Sequence, residues 1–482
     1  MKRLVLFLFL SCQTVFGQKI HLPHEVEKAA EPAGGLTYLT QFIASNVQLP
    51  FKSSINGMNG RVYVKGVVEP DGSMSDIAIS KGLDSLTNKE AMRVMSLFKA
   101  WKPASVKGEK VRQSIVYPVT FKTLPRTNFD STSHALVEYF DSQYRPETNP
   151  KKYEYKSITP VDDQGYINKD LVYAQLKGGK WKEVARIPFQ NKNIWYQMDL
   201  HESVADSVKA YYLSAKDENQ ASHSSEAVFQ VNGKLLAYFE YGANNKASLI
   251  KKYDLNGMVR DLHIISDSAN LHLSWYDNGQ IRTVTETPTS KANDYREKLF
   301  VNAWSKDGVQ VVKDGDGYWS ALSRMYDGKL LLEEGAVLAG IKNGKWRGKW
   351  TDSTLHYEET YEKGVFKEGV AYENGQKRSY EQPVVHPQFK GGMNKFYKFL
   401  GENIRYPVEA SRRGVMGRVM LSFTVCEDGS MCDYKVEKGV GFGLNEEALR
   451  VVKKMDGLWQ PGSLRGKVVP VKYDLPINFQ LN

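Results

Sequence analysis

The two ends of this chain repeat each other, and this repeat constrains the fold more than any other feature. Gly34-Gly35 recurs as Gly391-Gly392, an offset of 357 residues (391 − 34). Further pairs follow in the same order: Asp71-Gly72-Ser73-Met74 with Asp428-Gly429-Ser430-Met431 and, after one inserted residue, Trp101-Lys102-Pro103 with Trp459-Gln460-Pro461. A colinear repeat of this length predicts two modules of one fold around a middle region of different composition.

Length and charge set the domain organisation and the broad class. A chain of 482 residues is too long for one core and predicts about three domains at roughly 150 residues each. The net charge of +10 is spread along the sequence without runs of like charge, which favours an ordinary solvated surface over nucleic-acid binding. The predicted segments are a signal peptide at 1–17, a degenerate module at 30–124, a linker at 125–138, a β-rich repeat region at 139–380 and a second module at 383–482.

The amino terminus has the pattern of a secretory signal. Met1-Lys2-Arg3 is followed by the apolar run Leu4 to Leu10, and small residues precede Gln18. The apolar run is too short to cross a bilayer. We therefore expect a soluble, exported protein cleaved after Gly17; if the signal is not cleaved, it would tether the chain to the inner membrane.

Two cysteines flank a predicted turn near the end of the chain. Cys426 and Cys432 lie on either side of the sequence Glu427 to Met431 and could form a disulfide across a hairpin in an oxidising compartment. The alternative is two unpaired thiols, since Glu69 and Ser75 stand at the equivalent positions of the first copy.

The second copy has the pattern of a small α+β unit. Residues 394–403 predict a helix with one apolar face, and the alternation from Val419 to Val425 predicts a strand with one buried face. Asp428-Gly429 predicts a tight hairpin turn. Asn445 is the expected cap of a second helix. The fold class expected for both terminal modules is therefore α+β, with two helices on a small antiparallel sheet.

The last segment predicts a strand with a free edge. Apolar residues occupy every second position from Val469 to Leu481, while Pro470 and Pro476 share the other parity. Backbone N–H groups alternate between the two sides of a strand, so both missing donors fall on one side, which should be unpaired. Four residues of that parity would then offer free backbone groups to a strand from another chain: Lys472, Asp474, Asn478 and Gln480. The alternative is that the prolines protect the edge against pairing.

Taken together, these motifs resemble the carboxyl-terminal domain of TonB energy transducers, in the form common among Bacteroidetes-type proteins. The residues that carry the resemblance keep their order: Pro387-x-Phe-x-Gly-Gly392, Tyr406-Pro407, Gly417-Arg-Val, Asn445-Glu-Glu-Ala448, Trp459-Gln-Pro461 and Leu475-Pro-Ile-Asn-Phe479. The first copy is less similar, because Leu49-Pro50 replaces Tyr-Pro and Gly66 stands where Phe423 is expected to pack.

The resemblance implies a periplasmic protein that binds the Ton box, a short peptide of outer-membrane receptors, by strand addition. Tyr406 and Pro407 would contact the peptide, unless they form a buried turn. The other implied partner is an inner-membrane motor driven by the proton gradient, and two copies of the chain could also pair. A transducer, however, needs a membrane-spanning anchor, for which the amino-terminal apolar run is too short, and usually a Pro-rich stretch, which was not found in this sequence. The sequence therefore supports peptide binding more strongly than force transmission.

The middle region contains recurrent Gly turns beside aromatic residues. They are Tyr253-Asp-Leu-Asn-Gly257, Trp275-Tyr-Asp-Asn-Gly279, Trp304-Ser-Lys-Asp-Gly308, Tyr326-Asp-Gly328 and Tyr372-Glu-Asn-Gly375, with Lys342-Asn-Gly-Lys-Trp346 as a related phrase. Each Asn-Gly or Asp-Gly is expected to close a β-hairpin, and stacked hairpins would bury the aromatic rings. The pattern resembles MORN-type repeats, so an alternative function is a non-transducing envelope scaffold that uses this β surface.

The sequence gives no indication of catalysis. The nine histidines are scattered, and His21-x-x-His24 is expected to lie in an amino-terminal tail. No phosphate-binding Gly-rich loop and no Gly-x-Ser-x-Gly motif occurs. We therefore expect a binding protein that is not an enzyme and has no cofactor, no metal site and no nucleic-acid partner.

Overall fold

The fold is that of a computed structural model, in which the structure describes residues 19–122, 128–198, 207–218, 220–242, 247–288, 299–324 and 328–481. The predicted signal peptide at 1–17 lies outside these ranges. Among the described residues, no helix combines the length and the apolar character that crossing a bilayer requires.

The first module is a mainly antiparallel sheet covered by helices on one face. Its helices are α1 (Leu36–Asn46), α2 (Phe51–Ile55) and α3 (Ser85–Leu97), with a short 3-10 helix at Pro23–Glu25. Its strands are β1 (Ile20–His21), β2 (Glu31–Pro32), β3 (Asn59–Val68), β4 (Met74–Lys81), β5 (Trp101–Lys102), β6 (Ala104–Val106) and β7 (Glu109–Lys122). The main sheet has the order β1-β7-β3-β4. Phe42 of α1 and Met95 of α3 are fully buried in the same core as Val62 of β3.

A five-stranded antiparallel sheet follows in the chain. Its strands are β8 (Phe129–Asp130), β9 (Ala135–Phe140), β10 (Tyr155–Pro160), β11 (Leu171–Lys177) and β12 (Lys180–Ile187), with a 3-10 helix at Pro150–Lys152. Part of this sheet falls in the predicted linker 125–138, so the linker prediction is wrong for residues 129–130 and 135–138. The polar composition of this segment suggested a linker, but a contact distant in sequence holds the segment in place. Phe129 packs against Phe51 of the first module, with ring centroids 5.4 Å apart.

The rest of the middle region is a sixteen-stranded sheet, counted over the described residues. Its strands are β13 (Phe189–Gln197), β14 (Ser207–Ala215), β15 (Glu226–Gln230), β16 (Leu235–Tyr241), β17 (Ala247–Tyr253), β18 (Val259–Ile265), β19 (Ala269–Trp275), β20 (Ile281–Pro288), β21 (Leu299–Trp304), β22 (Gln310–Lys313), β23 (Asp316–Arg324), β24 (Leu330–Leu338), β25 (Ile341–Trp350), β26 (Leu355–Glu362), β27 (Val365–Glu373) and β28 (Gln376–Tyr380). Each strand pairs with the next in the chain, so the sheet is one long antiparallel meander. This agrees with the predicted β-rich middle, while its relation to MORN repeats stays a prediction.

The glycine turns close hairpins at most of the expected places. Gly257, Gly279 and Gly308 join successive strands with φ between 82° and 85°, values that favour glycine. One prediction was wrong: Asn343-Gly344 does not close a hairpin but lies inside β25. There Gly335 pairs with Trp346 while the next residue of β24 pairs with Asn343, so the positive φ of Gly344 serves a bulge. Tyr326 lies outside the described residues.

The second module repeats the first. Its helices are α4 (Gly392–Asn403), α5 (Val408–Arg412) and α6 (Leu444–Lys453). Its strands are β29 (Val384–Val385), β30 (Gln388–Phe389), β31 (Gly417–Val425), β32 (Met431–Lys438), β33 (Trp459–Gln460), β34 (Gly462–Leu464), β35 (Lys467–Val469) and β36 (Val471–Phe479). The predicted α+β class of the terminal modules is therefore observed. Each module also has a short third helix, which begins directly after Pro50 in the first copy and Pro407 in the second.

Two local predictions for this module were wrong. Asn445 is not the cap of α6: Gly443 occupies that position, and the Asn445 side chain accepts hydrogen bonds from the N–H groups of Val440 (2.8 Å) and Gly441 (3.2 Å) instead. The amide thereby fixes the loop before the helix. The final segment is not one continuous strand, because Pro470 separates β35 from β36.

Candidate functional site at the edge of the carboxyl-terminal sheet

The last strand, β36, lies at the edge of its sheet. The strand order is β32-β31-β36, and β36 pairs with β31 from Val425↔Val471 to Gly417↔Phe479. In the described part of the chain no strand pairs with its other side. One side of β36 is therefore available for a further strand.

The register shows which backbone groups face this open side. Pro476 stands opposite Met420 of β31. Because proline has no N–H, this pair cannot exchange the two hydrogen bonds of a hydrogen-bonded pair, so the even-numbered residues direct their backbone groups away from β31. The side chains follow the same alternation: Leu475 and Ile477 are buried, whereas the even-numbered residues are exposed.

Charged side chains line the exposed face beside this edge. The Lys472 ammonium lies 3.1 Å from Glu437 of β32, which also accepts hydrogen bonds from Lys435 (2.6 Å) and Ser422 (2.8 Å). The hydrogen bond from Lys435, followed by those from Ser422 and Lys472, lowers the pKa of Glu437 to about 2. Glu437 is therefore ionised at neutral pH, and the Lys472 ammonium lies between two carboxylates, those of Glu437 and Asp474.

The other sequence-predicted edge residues are also exposed. The Asp474 side chain is 66% exposed, and its carboxylate lies 4.0 Å from the Lys472 ammonium. Asn478 accepts a hydrogen bond from Arg418 at 2.7 Å. Gln480 follows the end of β36 and is exposed. All four even-numbered residues thus lie along one solvent-facing row.

Tyr406 and Pro407 lie on the other face of the module. The Tyr406 hydroxyl donates a hydrogen bond to the carbonyl of Val415 at 2.6 Å, and its ring meets Phe479 edge-on at 5.8 Å. Pro407 precedes α5, and a Cβ atom on Gly443 would stand 3.1 Å from the Pro407 side chain. Both residues are half-buried, and these contacts match the alternative of a structural turn.

The cysteine pair stands at the hairpin between β31 and β32. The sulfur atoms of Cys426 and Cys432 lie 2.7 Å apart as free thiols, and the hydrogen bond between them raises the pKa of Cys432. In the first copy Ser75 donates a hydrogen bond to Glu69 at the same place. A contact across this hairpin is thus common to both copies, and the disulfide stays a prediction.

The equivalent edge of the first copy carries an added strand from the chain itself. Strand β1 pairs in parallel with β7, with Ile20 opposite Arg112 and His21 opposite Gln113. The Gln113 side chain also accepts a hydrogen bond from the N–H of Ala30 at 2.6 Å. At the offset of 358, these β7 positions correspond to Pro470 and Val471, just before the open row of β36.

The structure also shows an attachment that the sequence did not indicate. Arg465, at the tip of the β34–β35 hairpin, lies 2.9 Å from Glu359 and 3.5 Å from Glu333 of the large sheet. Its guanidinium centre is 3.5 Å from the centroid of the Tyr357 ring. Burial opposes the charge, but Glu359, Tyr357 and Glu333 together raise the pKa of Arg465. Glu333 and Glu359, from different strands, thus bind the same guanidinium. Residues so far apart in sequence could not be paired from the sequence alone.

Comparisons with known proteins agree with the sequence resemblance. The family model for the Gram-negative bacterial TonB protein C-terminal domain matches residues 45–123 and 402–481. No curated protein matches the chain. Two NMR solution structures of the Helicobacter pylori TonB-CTD are 31% and 34% identical, covering 19% and 18% of this chain and 86% and 90% of theirs, with TM-scores of 0.16 and 0.15. These low TM-scores add no argument about the fold, so the assignment rests on the family model. The two terminal modules are members of the TonB C-terminal family, present twice in one chain.

Proposed function

We propose that this protein binds an extended peptide along the open edge of β36, as a TonB-like component of transport across the cell envelope. The family matches at both ends of the chain support a TonB-like role in envelope transport. The finer proposal is that the peptide is the Ton box of an outer-membrane receptor, met in the periplasm. Coupling to an inner-membrane motor and pairing of two chains stay predictions.

The observation that carries the proposal is the unpaired side of β36. Strand addition obtains its affinity from main-chain hydrogen bonds and its specificity from the side chains that flank them. Lys472, Asp474 and Asn478 lie on the exposed face beside these backbone groups. The parallel pairing of β1 with β7 supports the idea that this fold accepts a strand at this edge.

The test is peptide binding by the full chain, measured by fluorescence polarisation with synthetic Ton box peptides. Asp474→Pro and Asn478→Pro each remove one outward N–H without removing a hydrogen bond to β31. Each lost hydrogen bond is worth about 1 kcal/mol or more, so we expect roughly a 5- to 10-fold weaker affinity per substitution and a larger loss for the double variant.

Two controls separate the backbone from the side chains and the second copy from the first. Asp474→Ala and Asn478→Ala keep both N–H groups and should bind nearly as well as the wild type. Thr120→Pro places the same change at the position of the first copy that corresponds to Asn478 (478 − 358) and should leave binding intact. Folded proline variants that bind normally would reject strand addition at β36, and binding carried by the large sheet would favour the scaffold alternative.

A further inference from the structure

Three side chains of metal-ligating type meet on one face of the sixteen-stranded sheet. Asp261 and His263 lie on β18 and His272 lies on β19, and one ligand atom from each falls within 4.8 Å of the others. The three residues form no local sequence motif, because the two histidines are brought together only by the pairing of neighbouring strands.

The register explains how they converge. His263 stands directly opposite His272, and their imidazole rings are stacked 4.2 Å apart with an angle of 11° between their planes. Asp261 lies two residues before His263 and therefore on the same face. One of its carboxylate oxygens is 2.7 Å from Nε2 of His272. Carboxylate and imidazole donors thus point into one small volume.

This face is the one directed away from the first module. Leu262 and Leu273, which alternate with the cluster, belong to the core shared with the first module. The cluster is largely sheltered from water: the Asp261 side chain is 5% exposed and that of His272 is 15% exposed. Burying a carboxylate is costly unless hydrogen bonds, cations or metal ions compensate it.

A further oxygen donor lies on the same face. Asn270 is two residues before His272 on β19, and its side-chain oxygen is buried without a hydrogen-bond partner among the described residues. Unsatisfied buried oxygens are uncommon and call for an explanation such as an ion or a water molecule.

We propose that Asp261, His263 and His272 bind a divalent first-row transition metal ion of the Zn²⁺ type. Two imidazoles and one carboxylate are a donor set that Zn²⁺ accepts, with a fourth position left for water or another ligand. At Zn–N and Zn–O bond lengths of about 2.0–2.2 Å, tetrahedral ligand atoms stand roughly 3.3–3.6 Å apart. Rotations of the three side chains would bring the donors to that spacing.

Such an ion would link β18 to β19, two strands that pack against the first module. This proposal revises the expectation that the chain has no metal site. It is independent of peptide binding at β36, since the two sites lie in different domains.

The test uses the full chain after treatment with a chelator. Zn²⁺ is titrated by calorimetry, and Co²⁺ is added as a spectroscopic probe of a tetrahedral site. We expect one ion per chain and a higher melting temperature in Zn²⁺. His263→Gln and His272→Gln should each lower the affinity by about 100-fold or more, because even the loss of a second-shell partner costs 10- to 100-fold. Asp261→Asn should weaken binding as well.

The matched control is the double variant His21→Gln/His24→Gln, which removes the other closely spaced histidine pair. It should retain the wild-type affinity, and the melting curves in chelator show whether each variant is folded. Absence of stoichiometric Zn²⁺ binding would overturn the proposal. So would binding that persists in folded His263→Gln and His272→Gln variants, or that disappears in the control.

Discussion

Arg465 joins the second module to the large sheet through a buried ion pair. Its partner Glu359 is fully buried and accepts further hydrogen bonds from Tyr361 (2.8 Å) and Tyr380 (2.9 Å). A buried carboxylate with several donors and one buried guanidinium forms a network whose members depend on each other. Removal of the cation leaves this buried carboxylate with its two hydroxyl donors but without the opposite charge of Arg465.

We therefore expect Arg465→Ala to destabilise the chain by about 3–5 kcal/mol, the range for breaking one side of a buried ion pair. The measurement is the urea midpoint of the transition that includes the second module. Lys107→Ala is a close control, since Lys107 occupies the equivalent hairpin position with a similar φ (52° against 49°) but an exposed side chain. An equal effect of the two substitutions would contradict the role given to the ion pair.

At the scale of elements, the glycine turns of the large sheet do more than close hairpins. A Cβ atom on Gly279 would stand 3.0 Å from Phe98 and 3.1 Å from Phe42, two buried rings of the first module. A Cβ on Gly308 would stand 2.6 Å from that of Ala33. The turns thus bring the backbone of the sheet so close to the first module that a Cβ atom would crowd its neighbours there.

Gly279→Ala should therefore cost more than the backbone strain alone. Both Gly279 and Gly233 have φ of 85° in an Asn-Gly turn, so alanine carries a similar penalty of about 1–2 kcal/mol at each. No atom in the described part of the chain lies within 4 Å of a Cβ on Gly233, whereas crowding at Gly279 adds roughly 1–3 kcal/mol.

Chemical denaturation of both variants measures the difference. Equal losses of stability for Gly233→Ala and Gly279→Ala would show that the turn does not pack tightly against the first module.

Sequence reasoning succeeded where one local period or turn decides the structure. The alternation of β36 and the hairpin glycines could be read directly, because side-chain direction and positive φ are local properties. It failed where contacts with residues distant in sequence determine the role of a side chain. The sequence predicts Asn445 as a cap although its amide binds the preceding loop, and the role of Arg465 depends on Glu359, 106 residues away. For the candidate site, the shared parity of Pro470 and Pro476 predicted which side of the last strand is unpaired. The contacts of Tyr406 with Val415 and Phe479 could not be predicted from the sequence.

At the scale of the whole molecule, the two copies of one fold are attached through different surfaces. The first copy uses its helices: Tyr38 meets Trp304 at 4.4 Å, and the side chain of Asn46 accepts a hydrogen bond from the N–H of Val259 at 2.7 Å. In the second copy Lys395 stands where Tyr38 stands in the first (395 − 38 = 357). That copy joins the sheet through the β34–β35 hairpin instead, and β36 keeps its open side.

This difference predicts distinct local stabilities. One continuous hydrophobic core contains residues of the first module and of strands β14 to β21, so these parts should open together. Among the described residues, the core of the second module contains only residues of that module, from Phe389 to Phe479. Native-state hydrogen exchange with mass spectrometry should therefore give α1 and α3 the same opening free energy as β18 and β19, and a separate value to α6 and β31. Arg465→Ala should lower only the second value, because it removes an attachment of that module while leaving the shared core intact. A single opening free energy for all these elements, or a loss of protection in α1 after this substitution, would contradict the division.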